Sequence, residues 1–237
     1  MNFLRTTLVL FTVSCVSTAS LAQQFPTFLS LGTGPVAYKG DLNERYDKLG
    51  TSFQMSIFLN KKKRTNGEFN ISIGKLTGQN KDYTFDGEMT SDVKINTFII
   101  TNFTAVSYNL HVNFVSMSNL KIYGGLGIGL MRFNPRNVKD ENLLDIPETR
   151  LPDESYVNTV FAFPLQLGFY YYLKNGFGAG FQANLMNPQT DYLDNIGQLG
   201  NRSKKDNILS YKFNLLIPIH FKSKEKNDSI SEDLLQQ

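Results

Sequence analysis

The sequence predicts an all-β fold, an eight-stranded antiparallel transmembrane β-barrel of the outer-membrane type, on three observations. Eight segments alternate apolar and polar residues with period two, the spacing that sends successive side chains to opposite faces of a strand. The connections between them alternate long and short, as in barrels with tight turns on one side of a membrane and extended loops on the other. The chain also opens on a secretory leader.

In the leader, Arg5 supplies the positive region, Leu8 to Val13 the apolar region, and Ser20-Leu21-Ala22 the small-residue cleavage signal. Residues 1–22 therefore read as a signal peptide, 23–222 as the barrel and 223–237 as a polar tail. The apolar stretch is shorter than the roughly 20 residues that a helical span requires. Cys15 has Thr12 three positions before it, where a lipoprotein signal would carry Leu or Val. It is the only cysteine, so the mature chain has no thiol or disulfide. No later apolar run approaches a helical span. Basic and acidic residues nearly balance, 24 against 21, which predicts no nucleic-acid partner.

The strands follow in order. The first, about Thr27 to Tyr38, is interrupted by glycines. The second, about Thr51 to Asn60, sets Phe53, Met55, Ile57 and Leu59 against Gln54, Ser56 and Asn60. In the third, Phe69, Ile71 and Ile73 oppose Asn70, Ser72 and Gly74. The fourth lies within Ile95 to Phe114, with Val106, Tyr108, Leu110, Val112 and Phe114 against Ser107, Asn109, His111 and Asn113. The fifth, about Leu120 to Phe133, carries Ile122, Leu126, Ile128 and Leu130 against small residues and Tyr123. The sixth, Val157 to Leu173, sets Phe161, Phe163, Leu165, Leu167, Phe169 and Tyr171 against Ala162, Pro164, Gln166 and Gly168. The seventh, Phe177 to Leu185, alternates apolar residues with Gly178, Gly180, Gln182 and Asn184. The eighth, Tyr211 to Phe221, has aromatics at both ends of its apolar face, which suits rings at two headgroup levels.

Connections of roughly 12, 8, 20, 5, 22, 3 and 22 residues separate these strands, so long and short strictly alternate. Lys174-Asn175-Gly176 is a hairpin signal. Alternation alone does not say which face is inside. A soluble barrel packs large apolar residues inward, and a membrane barrel reverses this. Glycines on the more polar face (Gly74, Gly168, Gly178, Gly180) suit a narrow lumen, and the leader routes the chain to the envelope. Both termini and the short turns are expected in the periplasm.

No catalytic, cofactor or metal constellation is expected. His111 and His220 fall on polar strand faces with no cysteine or second histidine nearby. Gly124 to Gly129 lies within a strand and opens no helix, so it reads as room for lumen side chains rather than a phosphate loop. Asp191 and Asp194 read as loop anchors at a strand end, since no partner base or nucleophile accompanies them. Lys61, Lys62, Lys63 and Arg64 form the one basic cluster, in a periplasmic turn, and are the candidate contact for an acidic partner or lipid headgroups.

Three short motifs occur at strand-to-loop transitions: Tyr38-Lys-Gly-Asp-Leu42, Gly127-Ile-Gly-Leu-Met-Arg-Phe-Asn-Pro135 and Thr190-Asp-Tyr-Leu-Asp194. Gly200-Asn201 and Asp206-Asn207 follow before the last strand. This series resembles the PorG-like outer-membrane barrels of Bacteroidota, associated with type IX secretion, from about Leu29 to Phe221. The polar residues after Phe221 depart from barrels that end on an aromatic. The resemblance implies an eight-stranded barrel without enzyme activity that contacts the periplasmic ring of the secretion machine. Its partners would then be outer-membrane lipid and periplasmic secretion-ring subunits. The alternative is a small barrel that binds or passes a solute through its lumen and long extracellular loops. Asp41, Arg132, Asn134, Asp191 and Asp194 form the candidate loop-anchoring cluster, with Arg132 expected to pair with Asp191 or Asp194 across the mouth. Leu215→Arg is expected to destabilise the inserted barrel by roughly 2–4 kcal/mol, and Asn214→Arg on the lumen face to cost less.

Overall fold

The computed structural model describes residues 27–59, 64–81, 96–200 and 206–219. Its strands are β1 (Thr27–Lys39), β2 (Gly50–Leu59), β3 (Thr65–Gln79), β4 (Phe98–Ser116), β5 (Leu120–Arg136), β6 (Thr159–Tyr172), β7 (Gly178–Pro188) and β8 (Asn207–Ile219). Each pairs antiparallel with its sequence neighbours, and β1 pairs with β8 to close the barrel. Connections 40–49, 80–97, 137–158 and 189–206 lie at one end, and the shorter 60–64, 117–119 and 173–177 at the other. The segment expected to be a signal peptide, Lys61 to Lys63, His220, Phe221 and the tail lie outside the described residues.

Alternation faces outward as the inverted pattern requires. Leu126, Phe161, Leu167 and Phe213 are exposed on the wall, with Leu215 half exposed, while Gln54, Glu68, Asn109, Gln182 and Lys212 are buried within. Only an apolar surrounding makes that arrangement favourable, because every exposed wall residue would otherwise hold water against hydrocarbon. Large wall side chains pack across strands. Phe181 meets Phe213 edge-on, with ring centroids 5.3 Å apart, and stacks near Tyr211 at 6.0 Å.

The lumen is filled in three layers. At mid-height a hydrogen-bonded network crosses it. Gln54 Nε2 donates to Gln182 Oε1 (3.0 Å) and Asn214 Oδ1 (2.8 Å), and Lys212 Nζ donates to Gln54 Oε1 (3.0 Å). Asn70 Nδ2 reaches Ser56 Oγ (2.8 Å), and Asn109 Nδ2 reaches Glu68 Oε2 (2.8 Å). Buried polar groups left unpaired would each cost about 1–3 kcal/mol, so this mesh keeps a polar interior tolerable. His111 lies 3.2 Å from Glu68 Oε2, also meets Gln166 Oε1, and stacks on Tyr123 at 4.5 Å. Glycines of β5 make this possible: a Cβ on Gly125 would strike the His111 ring, and one on Gly127 the Asn109 amide.

Toward the short turns, Phe28, Phe58, Tyr123, Tyr170, Tyr172 and Leu216 form a second layer. Phe28 stacks on Phe58 at 4.6 Å, and the Tyr123 hydroxyl donates to that of Tyr170 (2.8 Å). The gap left beside these rings is about 10 Å³, room for no more than about one water.

Toward the long connections the polarity of the wall reverses. Val36, Tyr38, Leu76, Ile99, Phe103, Met131, Phe133 and Ile208 point inward and are buried, and they form the third layer. Lys75, Asn102, Thr104 and Arg132 point outward on the same strands. This upper part is built like a soluble barrel. It explains why the strands extend beyond the expected ends: β8 begins at Asn207 rather than Tyr211, and β3 runs on to Gln79, where the lipid-facing alternation changes phase. The hairpin at Asn175-Gly176 also differs in kind. Gly176 alone takes positive φ (88°), with Gly176 N–H donating to Leu173 O (3.0 Å) and Leu173 N–H to Phe177 O (2.7 Å), so the turn is a type I with a following bulge.

The packed lumen changes one expectation. Asn214 is buried against Gln54 and Ser30, and it leaves no room even for a Cβ on Gly32. An arginine there would overpack the network, so low cost no longer follows from facing the lumen. The wall expectation stands on firmer ground. Leu215→Arg, at the middle of the outward face of β8, is expected to cost about 2–4 kcal/mol, read as a lower urea midpoint for unfolding from lipid vesicles. Leu215→Phe should leave that midpoint unchanged.

Candidate functional site

The long-connection end carries most of the polar chemistry outside the lumen. Its centre is residues 189–200, with Asp206 before β8, and local sequence shapes it. Pro188 ends β7, where a missing N–H cannot continue the ladder. Thr190 Oγ1 then accepts the N–H of Tyr192 (3.2 Å), and Asp194 Oδ1 that of Ile196 (3.0 Å), two side-chain turns two residues long. Asn195 sits at φ 64°, a left-handed conformation that asparagine tolerates better than most residues. Leu193, Ile196 and Leu199 thereby drop into the barrel mouth beside Leu42 and Leu143 from two other connections. The mouth is closed by an apolar plug.

Asp194 ties that plug to connection 40–49. Its Oδ2 accepts the N–H groups of Asp41 (3.0 Å) and Leu42 (3.1 Å). Asp206, just before β8, holds the Leu193 N–H through Oδ2 (2.9 Å). Thr101 of β4 donates to the Leu193 carbonyl (2.5 Å). Burial, and then the Asp41 carboxylate beside it, pushes the Asp194 carboxyl up to about 8 despite the N–H bonds from Leu42 and Ile196. Burial followed by Asp194 raises Asp206 as well.

The arginine that binds connections together is Arg150. Its guanidinium donates to Asn195 Oδ1 (3.0 Å), to the carbonyls of Leu143 (2.8 Å) and Leu144 (3.1 Å), and through Nε to Glu154 O (3.3 Å). It lies over the Tyr156 ring at 5.2 Å, and Tyr156 stacks on Tyr192 at 4.4 Å. Asn195 Nδ2 also donates to Thr149 Oγ1 (2.9 Å), and its Oδ1 accepts from Tyr156 (2.9 Å). Glu154 completes the lock by accepting the Gln198 N–H (2.8 Å) and the Tyr192 hydroxyl (3.0 Å).

Of the sequence-derived cluster, Asp41 and Asp194 are brought together. Asp191 sits half-buried on the same connection as Asp194. Asn134 accepts from Asn158 Nδ2 (3.2 Å), holding the two ends of 137–158 rather than the mouth. Arg132 is a correction. It points outward, paired in register with Thr104 and Thr159, and no ion pair joins it to Asp191 or Asp194. The period-two rule places it there: Arg132 shares its face with Leu126, Ile128 and Leu130. Arg64 is exposed beside β3. Arg150, Glu154 and Asn195 escaped the sequence reading because they lie in irregular connections, although Asn195 directly follows the Asp194 motif.

Two outcomes follow. Arg150→Ala should open the cap locally by about 2–3 kcal/mol, through lost bonds from a charged donor. Thermolysin should then cut within 137–158 faster, while the heat-modified shift of the whole barrel is unchanged. The raised carboxyls give a pH sign. With folded values above the ordinary one, their contribution to cap stability is complete below about pH 4 and lost as pH rises toward about 8 for Asp194. Cap proteolysis should therefore accelerate between about pH 5 and 8. Asp206→Asn keeps an acceptor for Leu193 and removes a charge, so it should flatten that rise.

The comparisons with known proteins agree with this architecture. A family model described as outer membrane protein beta-barrel domain matches residues 6–213. No curated protein sequence matches the chain. Among solved structures, Neisserial surface protein A aligns over 81% of this chain and 97% of its own, at 10% identity and TM-score 0.52. Ail, the attachment invasion locus protein of Yersinia pestis, aligns over 83% of this chain and 100% of its own, at 12% identity and TM-score 0.47. The family's description supports an outer-membrane location, and the closed eight-stranded barrel agrees with it. The chain belongs to the outer membrane protein beta-barrel domain family.

Proposed function

We propose that this protein is a sealed, non-catalytic outer-membrane barrel that anchors a larger assembly, with a PorG-like role in a type IX-like secretion apparatus as the specific form of that reading. The observation that carries it is the filled lumen. An aromatic layer, a hydrogen-bonded layer and an apolar plug succeed one another along the axis, and an eight-stranded barrel has interior width only for side chains. A solute has no path through such a stack, which disfavours the solute-passing alternative. His111, the described histidine, is enclosed by Gln166, Glu68 and Tyr123 and is not presented to a substrate.

The secretion assignment is supported by the motif series. Tyr38 to Leu42 and Thr190 to Asp194, which carry the resemblance, are the segments that Asp194 joins at the mouth. In this reading the long connections face outside the cell. Turn 60–64, both chain ends and the basic residues Lys61 to Arg64 face the periplasmic ring.

Outer-membrane fractionation with lysine crosslinking and mass spectrometry tests the assembly role. Crosslinks from Lys61, Lys62 or Lys63 to periplasmic secretion subunits are expected. Outer-membrane recovery without any such crosslink would remove the secretion role. Liposomes carrying the purified barrel are expected not to swell in small sugars, and swelling at porin-like rates would sink the sealed-barrel reading itself.

A further inference from the structure

The strands carry one acidic residue, Glu68, and it is inside the lumen. The charges on their outward face are Lys39, Lys75, Arg132 and Arg136, all cationic and all toward the long-connection end. A merely solvated wall would carry both signs. Arg136 pairs with Asp140 at 3.0 Å, but the side chains of Lys75 and Arg132 make no hydrogen bond or ion pair among the described residues. Both stand at the border of the apolar wall. Lys75 is two residues above Ile73 on β3, and Arg132 is two above Leu130 on β5.

Between β1 and β4, at this same border, the outer wall holds a groove of about 500 Å³. Lys75, Asn102, Thr51 and Thr104 line it, with Phe53 and Ile73 toward the apolar side. Phe53 and Ile73 pair in register, as do Ile73 and Thr104, and Thr104 pairs in turn with Arg132. The row therefore runs from apolar side chains through one hydroxyl to a guanidinium. Short threonines where neighbouring wall positions carry Phe, Ile and Leu are what leave the groove open.

From this geometry we infer that the groove is a binding site for a phosphorylated, acylated amino-sugar lipid of the outer leaflet. The Lys75 ammonium and Arg132 guanidinium take phosphate oxygens, which charge-assisted hydrogen bonds suit. Thr51, Asn102 and Thr104 take sugar hydroxyls and amides. The acyl chains run down the wall over Phe53, Ile73, Val106 and Leu130. Charge decides the occupant: a leaflet rich in phosphate complements a wall with cations and no acid. This site rests on the reading that the long connections face outside the cell.

The test is native mass spectrometry of the full barrel in detergent, offered lipid A, dephosphorylated lipid A or phosphatidylglycerol at equal concentration. Wild type is expected to retain one lipid A per barrel, at least tenfold more than either other lipid. Lys75→Ala with Arg132→Ala should lower lipid A retention at least tenfold and abolish the preference, while keeping the heat-modified shift of a folded barrel. Lys174→Ala, at the opposite end, is the control and should retain lipid A as wild type does. Equal retention of lipid A and phosphatidylglycerol by wild type, or undiminished retention by the double variant, would overturn the site. Detergent removes sidedness from this measurement. Trypsin on intact cells reports sidedness separately, so resistance of the long connections there would count against the orientation and leave a positive retention result standing.

Discussion

Closure of β1 against β8 is the constraint on which the rest depends. Within hydrocarbon no water can take up a free backbone N–H or carbonyl, so an open sheet edge would be prohibitive and only a closed ladder is stable. Antiparallel pairing from Thr27 opposite Ile219 to Lys39 opposite Asn207 removes that edge. Once the ladder is closed with eight strands, the lumen is narrow, and each inward side chain meets others across it. The polar network around Gln54, the ring layer around Tyr123 and the plug around Leu193 are three answers to the same lack of space. Glycines at 125 and 127 belong to that answer, since they yield volume to His111 and Asn109.

A second theme is that one strand serves two surroundings. β4 has 19 residues, far beyond the roughly 9–11 that a tilted membrane strand requires. Its lower part shows Val106, Tyr108 and Leu110 outward, and its upper part turns Ile99 and Phe103 inward. The interior is polar where the exterior is apolar, and apolar where the exterior is wet. Hydrophobic burial therefore operates at the mouth, while hydrogen bonding holds the middle.

That reversal sets what was legible in the sequence. Long runs such as Phe161 to Tyr171 and Tyr211 to Leu215 kept one phase, so the strands, their order and the inverted faces could be read directly. Strand ends could not, because a change of phase looks like a loss of pattern; Ile208 and Leu76 are apolar on the face expected to be polar. The loop cluster was legible where a side chain hydrogen-bonds close in sequence, as Asp194 does to Ile196 N–H. Asn195 and Arg150 act across 45 residues of chain, a distance that no local periodicity encodes. Arg132 misled for the opposite reason. A charge near a motif suggested the mouth, whereas the alternation of its own strand had already turned it toward the wall.

The plug has a consequence for the order of assembly. Leu42, Leu143, Leu193, Ile196 and Leu199 come from three separate connections, none of which can shield the inward Phe103 and Phe133 alone. The ladder below them satisfies its own backbone without their help. A barrel whose ladder closed before these connections met would present an uncovered apolar well to water. That well, rather than the finished wall, is the part of the molecule that a neighbouring chain would find adhesive.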